Sequence, residues 1–145
     1  MTSNYQFHHS CPLQLRFNDI DTLGHATNSV YQQYFDLGRM EYFADVLQEQ
    51  MDWQDEGLIL VSININYLAP VKLYDEIEVR TKIVKLGNKS LEMLQQVYNK
   101  TNQTLAAESR SIMVGFSVKN EQSIPVAERW RKRIIEFEKD IDFGL

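Results

Sequence analysis

The stretch Asp19-Ile20-Asp21-Thr22-Leu23-Gly24-His25-Ala26-Thr27-Asn28 crowds two carboxylates, a glycine, the last of the chain's histidines and an amide side chain into one short segment. It lies just ahead of a run in which Val30, Tyr31, Tyr34, Phe35, Gly38, Tyr42, Phe43 and Val46 recur at three- and four-residue steps, the spacing of one helix face. A helix start presents unpaired N–H groups and the positive end of the helix dipole, so a carbonyl or anion placed there is polarised and held. A carboxylate brought to that point, at Asp21, could attack an acyl carbon or activate water while the amides hold the oxyanion. Such a sparse site suits a thioester, whose thiol leaves with a pKa of ~8.5. Amides and esters expel poorer leaving groups and usually need a general acid or a metal.

The same residue types have structural uses. Asp and Asn beside helix starts commonly serve as caps and turn residues, and Asn28 is open to that use. His25 alone fits a hydrogen-bonded structural histidine as readily as a base. As metal ligands, Asp19, Asp21 and His25 have a spacing that matches no established site, so no metal is expected. Asp19 lies two residues farther from the helix start than Asp21 and reads as polar support.

The elements that must position this segment follow from periodicity. Residues 11–17 alternate apolar and polar side chains at Cys11, Leu13, Leu15 and Phe17, which predicts a first strand. The helix is expected from about Ser29 to Gln50, roughly 33 Å at 1.5 Å per residue. Leu37, Met40 and Leu47 widen its apolar band, which predicts a deeply placed helix. Ser29 and Gln32 predict a capping box, and Gly38 predicts the close passage of another backbone. Strands are then expected over Leu60–Leu68, with Val61, Ile63, Ile65 and Tyr67 on one face, and over Glu76–Val84, Leu91–Asn99 and Thr104–Val118. After Pro125, the residues Val126, Trp130, Ile134, Phe137 and Ile141 trace a C-terminal helix over about 125–139, with RWRKR as its solvated side. A helix apolar nearly all round must be wrapped, and a curved antiparallel sheet of about five strands is what the chain offers to wrap it.

Composition bounds the rest. The 145 residues, 43% hydrophobic and 24% charged, suit a single α+β domain spanning 1–145, with its core at about 11–118. No segment approaches the ~20 apolar residues that span a bilayer, and MTSNYQFHHS is no secretory signal, so no membrane is expected and a cytoplasmic location is. Cys11 stands alone, in keeping with a reducing compartment. A net charge of −5 disfavours nucleic acid as a partner.

The segment FNDIDTLGHATNSVYQQYFDLGRMEYF resembles the signature of the hotdog-fold acyl-CoA thioesterases of the 4-hydroxybenzoyl-CoA thioesterase type. Their pattern DxDxxGHxxNxxYxxYxxxxR is matched by Asp19, Asp21, Gly24, His25, Asn28, Tyr31, Tyr34 and Arg39. The likeness continues in Ile65-Asn66-Tyr67-Leu68-Ala69-Pro70 followed by Asp75, and in Leu86-Gly87-Asn88-Lys89-Ser90. Ala26-Thr27 departs from the valine and asparagine that relatives often carry. The resemblance implies a hotdog fold, sheets paired in a homodimer or a tetramer of dimers, and hydrolysis of acyl-CoA to a carboxylic acid and coenzyme A without a cofactor. It places the catalytic carboxylate on Asp21, a site-shaping residue on His25 and the oxyanion amide at or beside Asn28. Lys89, Ser90 and Arg110, with Lys82 and Lys85, fall at positions that could meet coenzyme A. Either coenzyme A or acyl carrier protein could carry the acyl group. Because hotdog domains also host other activities, a hydratase or dehydratase acting on acyl thioesters and a non-catalytic acyl-thioester binding module remain as alternatives.

Overall fold

The residues from Val30 to Val46 that share the helical spacing are all buried, and what they are buried against is the inner face of one sheet. The computed structural model describes residues 4–49 and 55–144. Strand β1 (His9–Leu13) leads through a 3-10 turn (Phe17–Asp19) into helix α1 (Val30–Tyr42), which continues as a π-helical turn over Phe43–Leu47. Then come β2 (Glu56–Tyr67), β3 (Ile77–Leu86), β4 (Ser90–Asn99), β5 (Thr104–Ser117), the short β6 (Gln122–Ile124) and helix α2 (Glu128–Phe137). All pairings are antiparallel, in the order β1-β3-β4-β5-β2, with β6 joined to the end of β5. Among the described residues the sheet therefore has six strands, where about five were expected. No helix among the described residues is long and apolar enough to cross a membrane.

Two apolar clusters fill the space between α1 and the sheet. One gathers Leu13, Tyr31, Phe35, Ile77, Val79 and Val97 beneath the start of the helix. The other gathers Tyr42, Leu47, Ile83, Met93, Trp130 and Ile134 beneath its end, closed over by α2. Between them lies a buried polar layer. The Gln95 side chain donates to the Phe35 carbonyl at 2.9 Å and to the Thr81 hydroxyl at 3.1 Å, while Arg39 Nη1 donates to Gln95 Oε1 at 3.1 Å. Gly38 lets the helix come this close: a Cβ there would stand 2.7 Å from Val79 Cγ2 and 2.9 Å from Gln95 Nε2.

Several expectations need correction. The first strand runs from His9 to Leu13, because the chain turns into the 3-10 segment before Phe17, which is exposed. The α-helix ends at Tyr42 and its π turn at Leu47, where Gln48 takes the left-handed conformation (φ 58°), while Gln50 lies outside the described residues. Leu37 and Met40 are exposed on the helix face away from the sheet, so α1 is buried on one side and not wrapped all round. Ser29 precedes the helix in a helical conformation and makes no side-chain cap, so the expected capping box does not form. A register shift between Leu60 and Ser62 moves the inward set of β2 from Leu58 and Leu60 to Ile63 and Ile65, leaving Val61 exposed at the irregularity.

The arginines of α2 are anchors more than a solvated side. Arg129 pairs with Glu49 and Glu56, Arg131 donates to the Gly87 and Asn88 carbonyls, and Arg133 donates to that of Leu47. Just beyond the helix, Glu138 is fully buried. It accepts from Tyr42 Oη at 2.8 Å, Lys82 Nζ at 2.9 Å and the Ile83 N–H at 3.1 Å. Ile83 lies beyond the part of β3 that β1 covers, so this carboxylate satisfies an edge amide while fastening the C-terminal segment to the sheet. Glu138→Ala would leave the Tyr42 hydroxyl and the Ile83 N–H buried without this acceptor and Lys82 with Asp140 alone, and is expected to cost about 3 kcal/mol or more in urea denaturation. Asp140 has two opposing influences: burial raises its pKa, but hydrogen bonds from Lys82 and His8 outweigh it and hold the carboxyl at about 2. A carboxyl depressed in the folded state adds stability that is present above its unfolded pKa and lost as pH falls through the folded value. Asp140→Asn should therefore lower the melting temperature at neutral pH and converge with wild type between about pH 4 and pH 2.

Candidate active site

The loop between β1 and α1 folds as a miniature hairpin, with an Ile20–Ala26 bridge at its base. The Asp21 N–H donates to the His25 carbonyl at 2.9 Å, and the Gly24 N–H donates to the Asp21 carbonyl at 3.0 Å. Gly24 sits at φ +81°, a left-handed conformation that a side chain would strain. A second bridge, His25–Lys72, and the Ala26 N–H donated to the Val71 carbonyl at 2.7 Å tie the loop to the segment that enters β3.

The two acids have different surroundings. Asp19 closes the 3-10 turn and is buried. Its Oδ2 accepts from Tyr34 Oη at 2.9 Å and the Arg16 N–H at 3.1 Å, and its Oδ1 from Arg16 Nη2 at 3.3 Å. Burial, and then this bond to Asp19, push the Tyr34 phenol well above its ordinary range. Asp21 is exposed. Its Oδ1 accepts from the Leu23 N–H at 2.9 Å and the His25 N–H at 3.3 Å, while no hydrogen bond among the described residues engages Oδ2. One carboxylate oxygen is thus held by the turn and the other is left available.

Asp21, His25 and Asn28 line one cavity of about 520 Å³ with Leu23, Thr27, Tyr31 and the segment Tyr67–Pro70. His25 is half-buried on its wall, and Asn28 is exposed. Among the described residues no hydrogen bond runs from the Asn28 side chain to the helix, so it is not acting as a cap; its carbonyl accepts from the Tyr31 N–H at 3.3 Å and from Tyr67 Oη at 3.2 Å. The Tyr31 and Tyr67 rings meet edge to face at 5.3 Å. Burial, reinforced by Tyr67, pushes the Tyr31 phenol up to about 12, so at neutral pH it is an uncharged donor beside the cavity. Periodicity marks Tyr31 and Tyr67 only as apolar-face positions and misses them as lining residues. The sign that could have singled out Tyr67 is a phenol ending the otherwise aliphatic series Ile63, Ile65 on β2 just before Pro70.

The residues assigned to coenzyme A do not gather here within one chain. Lys89 and Ser90 sit at the turn where β4 begins, whereas Tyr67 on the cavity rim pairs with Ala107, itself opposite Val97 toward the far end of β4, roughly 23 Å away at 3.3 Å per residue. Arg110 alternates with buried Ser109 and Ser111, so it stands on the outer face, 3.5 Å from Glu92. Lys82 as a phosphate ligand is overturned: its ammonium is fully buried, 2.9 Å from both Glu138 and Asp140. Lys85 is exposed and lies 3.9 Å from Glu92. Among the described residues, His8, Glu138 and Asp140 bring possible metal-ligand atoms within 4.8 Å of one another, but Lys82 already supplies the positive charge at that point.

Comparison with known proteins agrees with this architecture. The chain is 24% identical over 105 residues to the acyl-CoA thioester hydrolase YbgC of Escherichia coli, covering 71% of this chain and 78% of that protein. Among solved structures it is similar to a Thermus thermophilus thioesterase complexed with coenzyme A and zinc (30% identity, TM-score 0.79, 92% of this chain and 96% of the other). It also resembles the PA5185 protein of Pseudomonas aeruginosa (21% identity, TM-score 0.83, 94% and 96%). The model of the thioesterase-like superfamily matches residues 15–140, and with a hotdog fold of helix on antiparallel sheet the chain belongs to that superfamily.

Proposed function

We propose that the chain is an acyl-CoA thioesterase, with Asp21 as the reacting carboxylate and the amides at the start of α1, at and beside Asn28, as the oxyanion site. The observation that carries this reading is the cavity in which an exposed, turn-anchored carboxylate and a helix start face a common space. The Thermus and Escherichia relatives, named as thioesterases, support the substrate class.

Two routes keep the atoms in balance. In one, Asp21 Oδ2 bonds to the acyl carbon, the C–S bond breaks, and the thiolate of coenzyme A leaves and takes a proton from water. Water then cleaves the mixed anhydride, releasing the acid and restoring the carboxylate. In the other, Asp21 removes a proton from a water molecule as that water attacks the acyl carbon; the C–S bond then breaks and the thiolate takes that proton, restoring the carboxylate. Both build negative charge on the thioester oxygen, where the helix-start amides act. His25, on the cavity wall, shapes the space in which the acyl carbon sits.

The chain is proposed to act as a homodimer. Among the described residues β2 has β5 on one side and no strand on the other. Antiparallel pairing of two β2 strands would set the Glu56 end of one copy beside the Tyr67 end of the other. Because Ser90 pairs with Val114, and Val114 with Ile59, that arrangement would also carry the second copy's Lys89 and Ser90 toward this chain's cavity. The separation of about a strand length within one chain then becomes proximity between two.

Thiol release should be measured across short, medium, long and aromatic acyl-CoA substrates, with acyl carrier protein thioesters alongside. Wild type is expected to release thiol, and Asp21→Asn to lower kcat by roughly 10²–10⁴ with an unchanged melting temperature. Full activity in that variant would remove Asp21 from the chemistry, and hydration of crotonyl-CoA without thiol release would replace hydrolysis by hydratase action. Light scattering coupled to gel filtration should give about twice the 17.0 kDa chain mass, or four times it for a homotetramer. Introducing Pro at Ile63, within the exposed-edge strand, should shift that mass toward the single chain.

A further inference from the structure

Tyr67 closes β2 at the rim of the cavity, and its hydroxyl reaches back across it to donate to the Asn28 carbonyl at 3.2 Å. The same carbonyl accepts the Tyr31 N–H at 3.3 Å. A peptide whose carbonyl accepts two donors is fixed in orientation, and its own N–H, here on Ser29, becomes a stronger donor because hydrogen bonds in series polarise one another. No hydrogen bond among the described residues engages the Asn28 or Ser29 N–H. The ring that delivers the Tyr67 hydroxyl is itself placed by packing. It meets Tyr31 at 5.3 Å, Tyr31 meets Tyr34 at 5.7 Å, and Tyr34 donates to buried Asp19 at 2.9 Å. A chain of three tyrosines thus joins the end of β2 to the base of the Asp21 loop.

We propose that Tyr67 is a positioning residue for thioester hydrolysis, orienting the Asn28–Ser29 peptide so that the amides at the helix start face the thioester oxygen. This rests on the assignment of the site as a thioesterase. Tyr67 touches no reacting atom in this scheme. Its hydroxyl acts through the peptide, and the effect is greatest when charge develops on the oxygen, so turnover should suffer more than substrate binding.

Tyr67→Phe keeps the ring and removes only the hydroxyl, whereas Tyr67→Ala removes both. Each variant is compared with wild type in steady-state thiol release and in the backbone amide NMR spectrum of the unliganded protein. Tyr67→Phe is expected to lower kcat roughly three- to tenfold with KM within about twofold, and to shift the Asn28 and Ser29 amide resonances. A Tyr67→Phe variant with wild-type kcat, with only Tyr67→Ala impaired, would reduce the residue to ring packing and overturn the role. A rise in KM with kcat unchanged would do the same, making Tyr67 a substrate contact. A wild-type chain that releases no thiol from any substrate overturns the hydrolase assignment and this role with it.

Discussion

The close approach of α1 to the sheet at Gly38 is the constraint on which the rest depends. Packed elements are normally held apart by the side chains between them. Here Val79 and Gln95 occupy the space where a Cβ would project, and Gln95 bonds directly to the helix backbone at Phe35. That contact sets the height and the phase of the helix together. With the middle of α1 fixed, Tyr31, Tyr34 and Phe35 must fall into the first cluster and Tyr42 and Val46 into the second. The helix start is then carried to the end of the sheet where β2 finishes and β3 begins. Arg39 completes the polar layer, and burial pushes its pKa down against the opposing pull of Asp36, yet an arginine so far above neutrality stays charged.

The loop that supplies the candidate chemistry inherits its geometry from this placement. Asp19 and Asp21 differ by two residues and by almost everything else. Asp19 is spent on Tyr34 and Arg16, which fixes the base of the loop to the helix. Asp21 spends one oxygen on the turn closed by Gly24 and keeps the other available. An ionised carboxylate is a weak base, so its usefulness rests on being held in position, and a turn that fastens one oxygen restricts the other at little cost.

Much of this was legible in the sequence, and the exceptions have physical causes. Three- and four-residue spacing identified the buried face of α1 residue by residue, since a helix on a sheet repeats its contact every turn. The width of its apolar band misled, because Leu37 and Met40 lie on the far side and periodicity cannot tell a second apolar face from a deeper burial. In β2 the alternation runs unbroken through the sequence, but the irregularity after Leu60 reverses which parity points inward, and no residue type announces it. Long-range pairs were equally hidden. Lys82 reads as a surface lysine on a strand until Glu138, far along the chain, comes to lie beside it. The contrast between Asp19 and Asp21 was visible only as distance from the helix start; the tyrosine and arginine that separate their environments arrive through folding.

The groups that line the cavity also bear on the leaving group it would suit. Among the described residues its polar lining is one available carboxylate oxygen, backbone donors at the helix start, the Thr27 and Asn28 side chains, the wall histidine and phenols, that of Tyr31 pushed further up by burial. A group that must be protonated to depart needs a strong acid poised on its side of the scissile bond. A thiolate needs none, because at a pKa of ~8.5 it is already a tolerable leaving group. A thioester is therefore the acyl compound whose cleavage asks least of such a site, requiring that charge be held on one oxygen while a carboxylate or its water approaches. The demand falls on orientation rather than on acidity. Hence the parts that matter are those that fix direction: the Gly24 turn beneath Asp21, and the peptide at Asn28 with its two donors.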